Sequence, residues 1–318
     1  MKKIAVIEQI HKDGLELLEK NSKYEYELIT DVSEENLIKK LPKFDGCTLR
    51  VSKLDEQILK HCPKLKVISR HGVGYDNVDL KYLKKNNISL LITATANAVA
   101  VAEHVMTMFL SLSKSVQKYD QEVRDGNFKN NAKKIKTIEL FNKNVLILGF
   151  GRIGKKLIER CLSFNTKVYV YDPYVEKKII EQHGGIKVDS IKDALKISDY
   201  VSLHMPLTEE TKNLINYKIF KDMKKTAIIV NTARGGIINE ADLDRALSEN
   251  LIFGAALDVF LNEPIENNNP LLTNKKVILS PHSATFTDEC TSRMGIETIK
   301  NIIDFFQKKI DKSMLVKL

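Results

Sequence analysis

Tryptophan is absent from the sequence, and aromatic residues make up only 7% of it. No platform for stacking nucleic-acid bases is therefore apparent. Cysteine is scarce too. Cys47, Cys62, Cys161 and Cys290 lie far apart and form no CxxC pair. That spacing argues against a disulfide framework or a zinc site, and for buried or half-buried thiols in a reducing compartment. His61 stands beside Cys62 but has no second pair of ligands to join. No apolar run approaches the roughly 20 residues that a membrane-spanning helix needs. The amino terminus, MKKIAVIEQI, has two lysines but only a short apolar run before Glu8. It reads as a first strand, since a secretory signal needs a longer apolar core and a small-residue cleavage site. The expectation is a cytoplasmic protein with no membrane association, no nucleic-acid partner and no metal.

What is present is ordinary for a globular chain: 43% hydrophobic and 29% charged residues over 318 positions. At roughly 100–200 residues per domain, that length predicts two domains. The formal net charge is +9. Its lysines are scattered, in pairs such as Lys39-Lys40, Lys84-Lys85 and Lys224-Lys225, on faces expected to be helical. Scattered charge of this kind gives a positive field that attracts anionic metabolites, and no concentrated nucleic-acid footprint.

Short apolar runs recur along the chain with helical stretches between them. The first series of expected strands is 3–7, 27–30, 46–50, 66–69 and 89–92; the second is 144–148, 167–171, 200–203, 227–231, 253–257 and 277–279. Strands alternating with helices predict parallel sheets covered by helices, an α/β fold. Between the two series, residues 97–118 are rich in Ala, Val and Met and predict one long helix joining two domains. Residues 124–138 are polar and irregular and predict a surface connection.

The sharpest local signal is NVLILGFGRIGKKLIERC, residues 144–161. A strand runs straight into GFGRIG (149–154) and then into an amphipathic helix. Gly149 permits a tight turn, Gly151 lets the backbone approach a pyrophosphate, and Gly154 lets the helix pack on the strand. The helix amino terminus, at Arg152 and Ile153, offers N–H groups to the phosphates. Arg152 itself either reaches the pyrophosphate or is simply solvated. A second strand ends at Asp172, close to the ~20-residue spacing expected of an acid that meets the adenosine ribose. A carboxylate there accepts from ribose hydroxyls and repels a 2′-phosphate, so the expected cofactor is NAD.

Three further strand ends carry reactive groups. IIVNTARGGIIN (228–239) places Arg234 just past a core strand, before two glycines. FGAALDVFLNEP (253–264) delivers Asp258 and then Glu263. VILSPHSATFT (277–287) delivers His282. Ligands of open parallel sheets sit beyond the carboxyl ends of the strands, so these groups are placed to converge. Arginine offers a permanent charge and a fork of donors that matches a carboxylate. A Glu beside a His stabilises the imidazolium, which can protonate a carbonyl oxygen while a hydride arrives from a nicotinamide.

At this point the chain resembles the D-isomer-specific 2-hydroxyacid dehydrogenases. The resemblance spans nearly the whole length, through RHGVGYDNVDL (70–80), VAEH (101–104), GFGRIG (149–154), HMPLTEETKNLI (204–215), VNTARGGIINEADL (230–243), GAALDVF with EP (254–264) and SPH (280–282). It implies that Arg234 holds the substrate carboxylate and C2 oxygen, that His282 is the acid/base, and that Glu263 is its charge partner. It implies carboxylate binding by the N–H groups of Val73 and Gly74, a nicotinamide carboxamide contact at Asp258, and a cofactor wall at Thr232 and Pro206. The similar formate dehydrogenases carry Gln at the Glu263 position because no proton passes through their histidine; Glu here points to carbonyl/alcohol interconversion. Where the family often has Pro-Gly before an Asn, this chain reads TATAN, which puts a substrate role for Asn97 in doubt.

The implied architecture is a Rossmann NAD-binding domain, 98–288, inserted into a flavodoxin-like substrate domain of 1–97 and 289–318, with a cleft that closes on both ligands and a homodimeric assembly. The stretch TLRVSKLDEQIL (48–59) looks like the loop that holds the phosphate in phosphoglycerate dehydrogenases, with Arg50 as the ligand and Lys53 as an accessory. The bland reading of Arg50 is a solvated strand end. D-3-phosphoglycerate is thus the first substrate expected, with hydroxypyruvate or glyoxylate reduction and D-lactate oxidation as alternatives. Ending at Leu318, the sequence leaves no room for the regulatory domains of longer phosphoglycerate dehydrogenases. A non-enzymatic alternative is an NAD(H)-sensing protein similar to the corepressors that resemble this family.

Overall fold

The computed structural model describes residues 1–128 and 135–318 and divides them into two compact units. The first unit comprises Met1–Asn97 and Thr285–Leu318; the second is Ala98–Ala284. The second unit closes at Ala284, where the sequence suggested 288, because the helix that begins at Asp288 belongs whole to the first unit.

The first unit holds five strands: β1 (Lys2–Ile7), β2 (Tyr24–Ile29), β3 (Gly46–Leu49), β4 (Val67–Arg70) and β5 (Ser89–Ile92). They pair in parallel in the order β2-β1-β3-β4-β5. Parallel strands are covered on both faces and read as unbroken apolar runs, and Ile4 to Ile7 of β1 are all buried. The covering helices are α1 (Lys12–Glu19), α2 (Glu34–Lys40), α3 (Glu56–Leu59) and α4 (Leu80–Asn86), joined by the chain's last helix, α12 (Asp288–Phe306). The Thr287 hydroxyl caps α12 by accepting from the Cys290 N–H. Helices α1 and α12 meet at two glycines: a Cβ on Gly14 would lie 2.5 Å from the Gly295 carbonyl oxygen.

The second unit opens with α5 (Ala98–Ser113) and α6 (Val116–Arg124). The single helix expected over 97–118 is thus two, broken at Ser115, whose φ of 51° is left-handed and cannot continue an α-helix. The expected irregular connection, 124–138, loses Arg124 to α6, and its residues 129–134 lie outside the described ones. The sheet follows: β6 (Asn144–Leu148), β7 (Lys167–Tyr171), β8 (Ile186–Lys187), β9 (Tyr200–Leu203), β10 (Ile228–Asn231), β11 (Gly254–Leu257) and β12 (Val277–Leu279). Helices α7 (Arg152–Ser163), α8 (Lys177–Gln182), α9 (Ile191–Ile197), α10 (Tyr217–Asp222) and α11 (Glu240–Ser248) connect them. The order β12-β11-β10-β9-β6-β7-β8 is all parallel and doubly wound, and the strand order reverses at β6 and β9. One face buries Leu146, Leu148, Val201, Leu203 and Ile229; the other buries Val145, Ile147, Tyr200, Ile228 and Val230.

The α/β expectation of two parallel-sheet units is borne out. Strand β8 escaped the sequence reading because two residues show no pattern. All four cysteines are free and buried. Burial pushes the Cys161 thiol up to about 12, which makes it a poor nucleophile. Among the described residues no helix is long and apolar enough to cross a membrane.

Candidate active site

Strands β10, β11 and β12 are neighbours in register, so the residues after them emerge side by side. Beyond β10 the Asn231 side chain sets the turn. Its Oδ1 accepts from the Ala233 N–H at 3.0 Å, and its Nδ2 donates to the Arg234 carbonyl at 2.8 Å. Gly235 follows because nothing larger fits: a Cβ there would lie 1.8 Å from the Phe260 carbonyl oxygen. The loops after β10 and β11 therefore touch backbone to backbone, which fixes Arg234 relative to Glu263.

Beyond β11, Asp258 is 1% exposed. Its carboxylate accepts from the Ser280 hydroxyl, from the Ser283 N–H at 2.8 Å and from the Ala284 N–H at 3.0 Å. One buried acid thus clamps the loop after β12 that carries His282. His282 has a φ of 52°, a conformation rare for residues other than glycine and held here by the surrounding bonds. Its Nδ1 lies 2.7 Å from Glu263 Oε2. Glu263 Oε1 accepts from the Phe260 N–H at 3.0 Å. Burial alone would raise the Glu263 carboxyl; the bonds from His282 and Phe260 and the charges of His282 and Arg234 outweigh it and hold the group below its ordinary range. An ionised carboxylate only accepts, so Nδ1 is the donor and Nε2 is the ring nitrogen left to exchange a proton. The arrangement brings Arg234, Glu263 and His282 together at one edge of one sheet.

Several contributors were not visible in the sequence. Asn231 is one. Ser280 and His104 are others: His104 Nε2, on α5, lies 3.1 Å from the Ser280 hydroxyl and 3.6 Å from Asp258 Oδ1. Glu240, at the start of α11, accepts from the Leu261 N–H at 2.6 Å and braces the loop before Glu263. They lie inside the quoted motifs VAEH (101–104), VNTARGGIINEADL (230–243) and SPH (280–282), but the sequence assigned none of them a role.

The glycine turn lies between β6 and α7. Gly149 has a φ of 99°, and a Cβ on it would lie 2.6 Å from the His204 carbonyl oxygen. Gly151 is the N-cap of α7 and makes no side-chain cap bond; among the described residues a Cβ there would meet nothing within 4 Å. Open space facing the first turn of a helix fits a pyrophosphate. Gly154 is buried, Ile153 is half-buried and Arg152 is exposed. Thr232, only 9% exposed, has a buried hydroxyl oxygen without a partner among the described residues, as a wall awaiting a polar ligand would. Pro206 is exposed, and its carbonyl accepts from the Thr211 hydroxyl at 2.8 Å. Asp172 does more than expected. Oδ2 accepts from the Phe150 N–H at 2.8 Å and Oδ1 from the Tyr174 N–H at 2.9 Å, so the acid also buttresses the turn. Each oxygen keeps a lone pair for a ribose hydroxyl.

In the first unit, Val73 and Gly74 are half-buried in the loop after β4. Arg50 donates to the Gln9 carbonyl at 3.0 Å, and Lys53 pairs with Asp55 at 3.0 Å. Asn97 has a buried Oδ1 without a partner among the described residues. Among the same residues no group of three or more His, Cys, Asp or Glu could hold a metal ion.

Comparison with known proteins agrees with this geometry. The family model described as D-isomer specific 2-hydroxyacid dehydrogenase, NAD binding domain, matches residues 106–284. The chain is 36% identical over 307 residues to a D-3-phosphoglycerate dehydrogenase of Methanocaldococcus jannaschii, covering 95% of this chain and 58% of that protein. It is 33% identical over 320 residues to a glyoxylate reductase of Aeropyrum pernix, covering 98% and 95% respectively. The solved D-lactate dehydrogenase of Aquifex aeolicus, in complex with NAD and lactic acid, superposes with a TM-score of 0.86 at 28% identity over 98% of each chain. The chain spans less than two thirds of the archaeal phosphoglycerate dehydrogenases it matches, 58% and 57% of their lengths.

Proposed function

The chain belongs to the D-isomer-specific 2-hydroxyacid dehydrogenase family, and on that premise we propose that it interconverts a 2-oxo acid and a D-2-hydroxy acid with NAD. The observation that carries this reading is the 2.7 Å contact between His282 Nδ1 and an ionised Glu263, with the Arg234 charge beside them. Bound in its reduced form, NAD supplies the hydride that reaches C2 of the oxo acid. Arg234 holds the substrate carboxylate and polarises the C2 oxygen. His282, positively charged and backed by Glu263, delivers a proton from Nε2 to that oxygen and takes it back in the oxidation direction. The backbone N–H groups of Val73 and Gly74 take the carboxylate. Gly149, Gly151, Arg152, Ile153 and Gly154 receive the pyrophosphate, Asp172 the adenosine ribose, and Thr232, Pro206 and Asp258 the nicotinamide side. The assembly is proposed to be a homodimer, which sedimentation of the purified protein would test.

For the substrate, two readings have support. The phosphoglycerate reading rests on Arg50 at the end of β3 and on the relatives that carry that name. Reduction of glyoxylate rests on relatives of that name covered almost end to end, and hydroxypyruvate is a further short 2-oxo acid of the same class. NADH oxidation with glyoxylate, hydroxypyruvate, 3-phosphohydroxypyruvate and pyruvate is the direct experiment. Turnover of one or more, lost in Arg234→Ala, is expected. No turnover with any, alongside intact NADH binding, would replace the enzyme with an NAD(H)-sensing protein.

A further inference from the structure

The carboxyl edge of the first unit's sheet holds groups with no part in the chemistry above. In the order β2-β1-β3-β4-β5 the winding reverses between β1 and β3, and that is where an open parallel sheet leaves a crevice for a ligand. Here the chain fills the crevice itself. Glu8 directly follows β1, and its Oε2 accepts from the Val51 N–H at 2.9 Å and the Ser52 N–H at 3.1 Å, just beyond β3. Arg50 returns a bond to the Gln9 carbonyl at 3.0 Å. The two strand ends are stitched in both directions. Glu8 also has a φ of 63°, a conformation that residues other than glycine rarely adopt.

Two backbone N–H groups converging on one oxygen are how loops hold phosphates and carboxylates. In this loop a fixed carboxylate already occupies them. The nearby positive groups are engaged as well. Arg50 is tied to Gln9, Lys53 to Asp55, and Arg70 donates to the His71 carbonyl at 2.8 Å. His71 adds no charge at neutral pH, because burial, with Arg50 and Arg70 beside it, pushes its imidazole down to about 4. The loop is also joined to the one carrying Val73 and Gly74: Asn77 Nδ2 donates to the Arg50 carbonyl at 3.2 Å and to the Ser52 carbonyl at 2.6 Å. The segment that Glu8 holds is thus tied to the loop on which the proposed substrate carboxylate lies.

We propose that Glu8 is a specificity-determining residue: its carboxylate stands where a second anionic group of the substrate would bind, and selects short 2-oxo acids that lack a phosphate. The proposal rests on the dehydrogenase reading above. Glu8 acts in two ways, by using up the donors of Val51 and Ser52 and by repelling a like charge.

The test compares hydroxypyruvate with 3-phosphohydroxypyruvate, which differ only in the phosphate, as kcat/KM in the wild type and in Glu8→Gln. Wild type is expected to favour hydroxypyruvate. Glu8→Gln is expected to raise the relative kcat/KM for the phosphorylated acid by about tenfold or more, the scale of a like-charge clash removed. Inorganic phosphate binding, followed by calorimetry at fixed ionic strength, gives a second readout that needs no turnover, with tighter binding expected in the variant. A wild type that prefers the phosphorylated acid overturns the proposal without any variant. So do folded Glu8→Gln and Glu8→Ala, the second of which also frees the Val51 and Ser52 donors, if the substrate ratio and phosphate affinity of both match the wild type. If none of the four oxo acids named above is reduced, the dehydrogenase reading fails, and the phosphate measurement still decides what Glu8 does.

Discussion

In the proposed reaction His282 and Glu263 share one proton transfer, in which the ring moves the proton and the acid holds the ring. His282→Ala is expected to lower kcat for reduction by roughly 10²–10⁴-fold, measured at saturating substrate. Glu263→Gln should act more subtly. It exchanges the anion that His282 Nδ1 contacts for a neutral acceptor, so kcat for reduction should fall, though by less than in His282→Ala; a kcat equal to the wild type's would separate the two residues. The same pairing bears on stability. The Glu263 carboxyl is depressed in the fold, so its contribution is present above the ordinary carboxylate range and is lost as the pH falls through the depressed value. Asp172 makes a different prediction, because it bonds the turn as well as being the proposed ribose ligand. Asp172→Ala should narrow the preference for NAD over NADP and also weaken NADH binding itself, which fluorescence titration with both cofactors would show. Arg234, Glu263 and His282 were legible in the sequence because reactive residue types followed strand-like runs. Asn231, Ser280 and His104 were not, because an Asn, a Ser or a His becomes informative only once its partner is known. His104 and Ser280 are separated by 176 positions.

Among the elements, strand ends do the positioning and glycines let them approach. The contact of Gly235 with the Phe260 carbonyl leaves no volume for a methyl group. Gly235→Ala should force the loops after β10 and β11 apart, cost about 3 kcal/mol or more in a denaturation experiment, and abolish most activity by moving Arg234 away from Glu263. The long strands were legible because a covered parallel strand must be apolar throughout, as VLIL in β6 and IIV in β10 are. The break between α5 and α6 was not, because it depends on one left-handed serine, a conformation that this residue type does not announce.

At the scale of the whole chain, the two units differ in how they are wired. The second is one continuous segment; the first is made from both ends of the sequence. Its cluster of Ile4, Val6, Leu18, Val67 and Leu91 is completed by Ile299 and Ile302 from α12. The insertion was legible because a dinucleotide turn in mid-sequence is flanked by strands it does not need, and the resemblance named the return. A fragment of residues 98–284 is therefore expected to fold and bind NADH without turnover, whereas residues 1–97 alone should give no cooperative melting transition. Circular dichroism and NADH fluorescence on the two fragments would check both.

The meeting of Gly14 with Gly295 joins two segments that are translated far apart in time. When the ribosome has released α1, the helix that must lie against it is still untranslated, and the whole of the second unit has to be made first. At roughly 5–20 residues per second that wait lasts roughly fifteen to fifty-five seconds. For that interval the strands of the first unit are expected to lack the cover that Ile299 and Ile302 provide, which leaves one apolar face open to a holding chaperone.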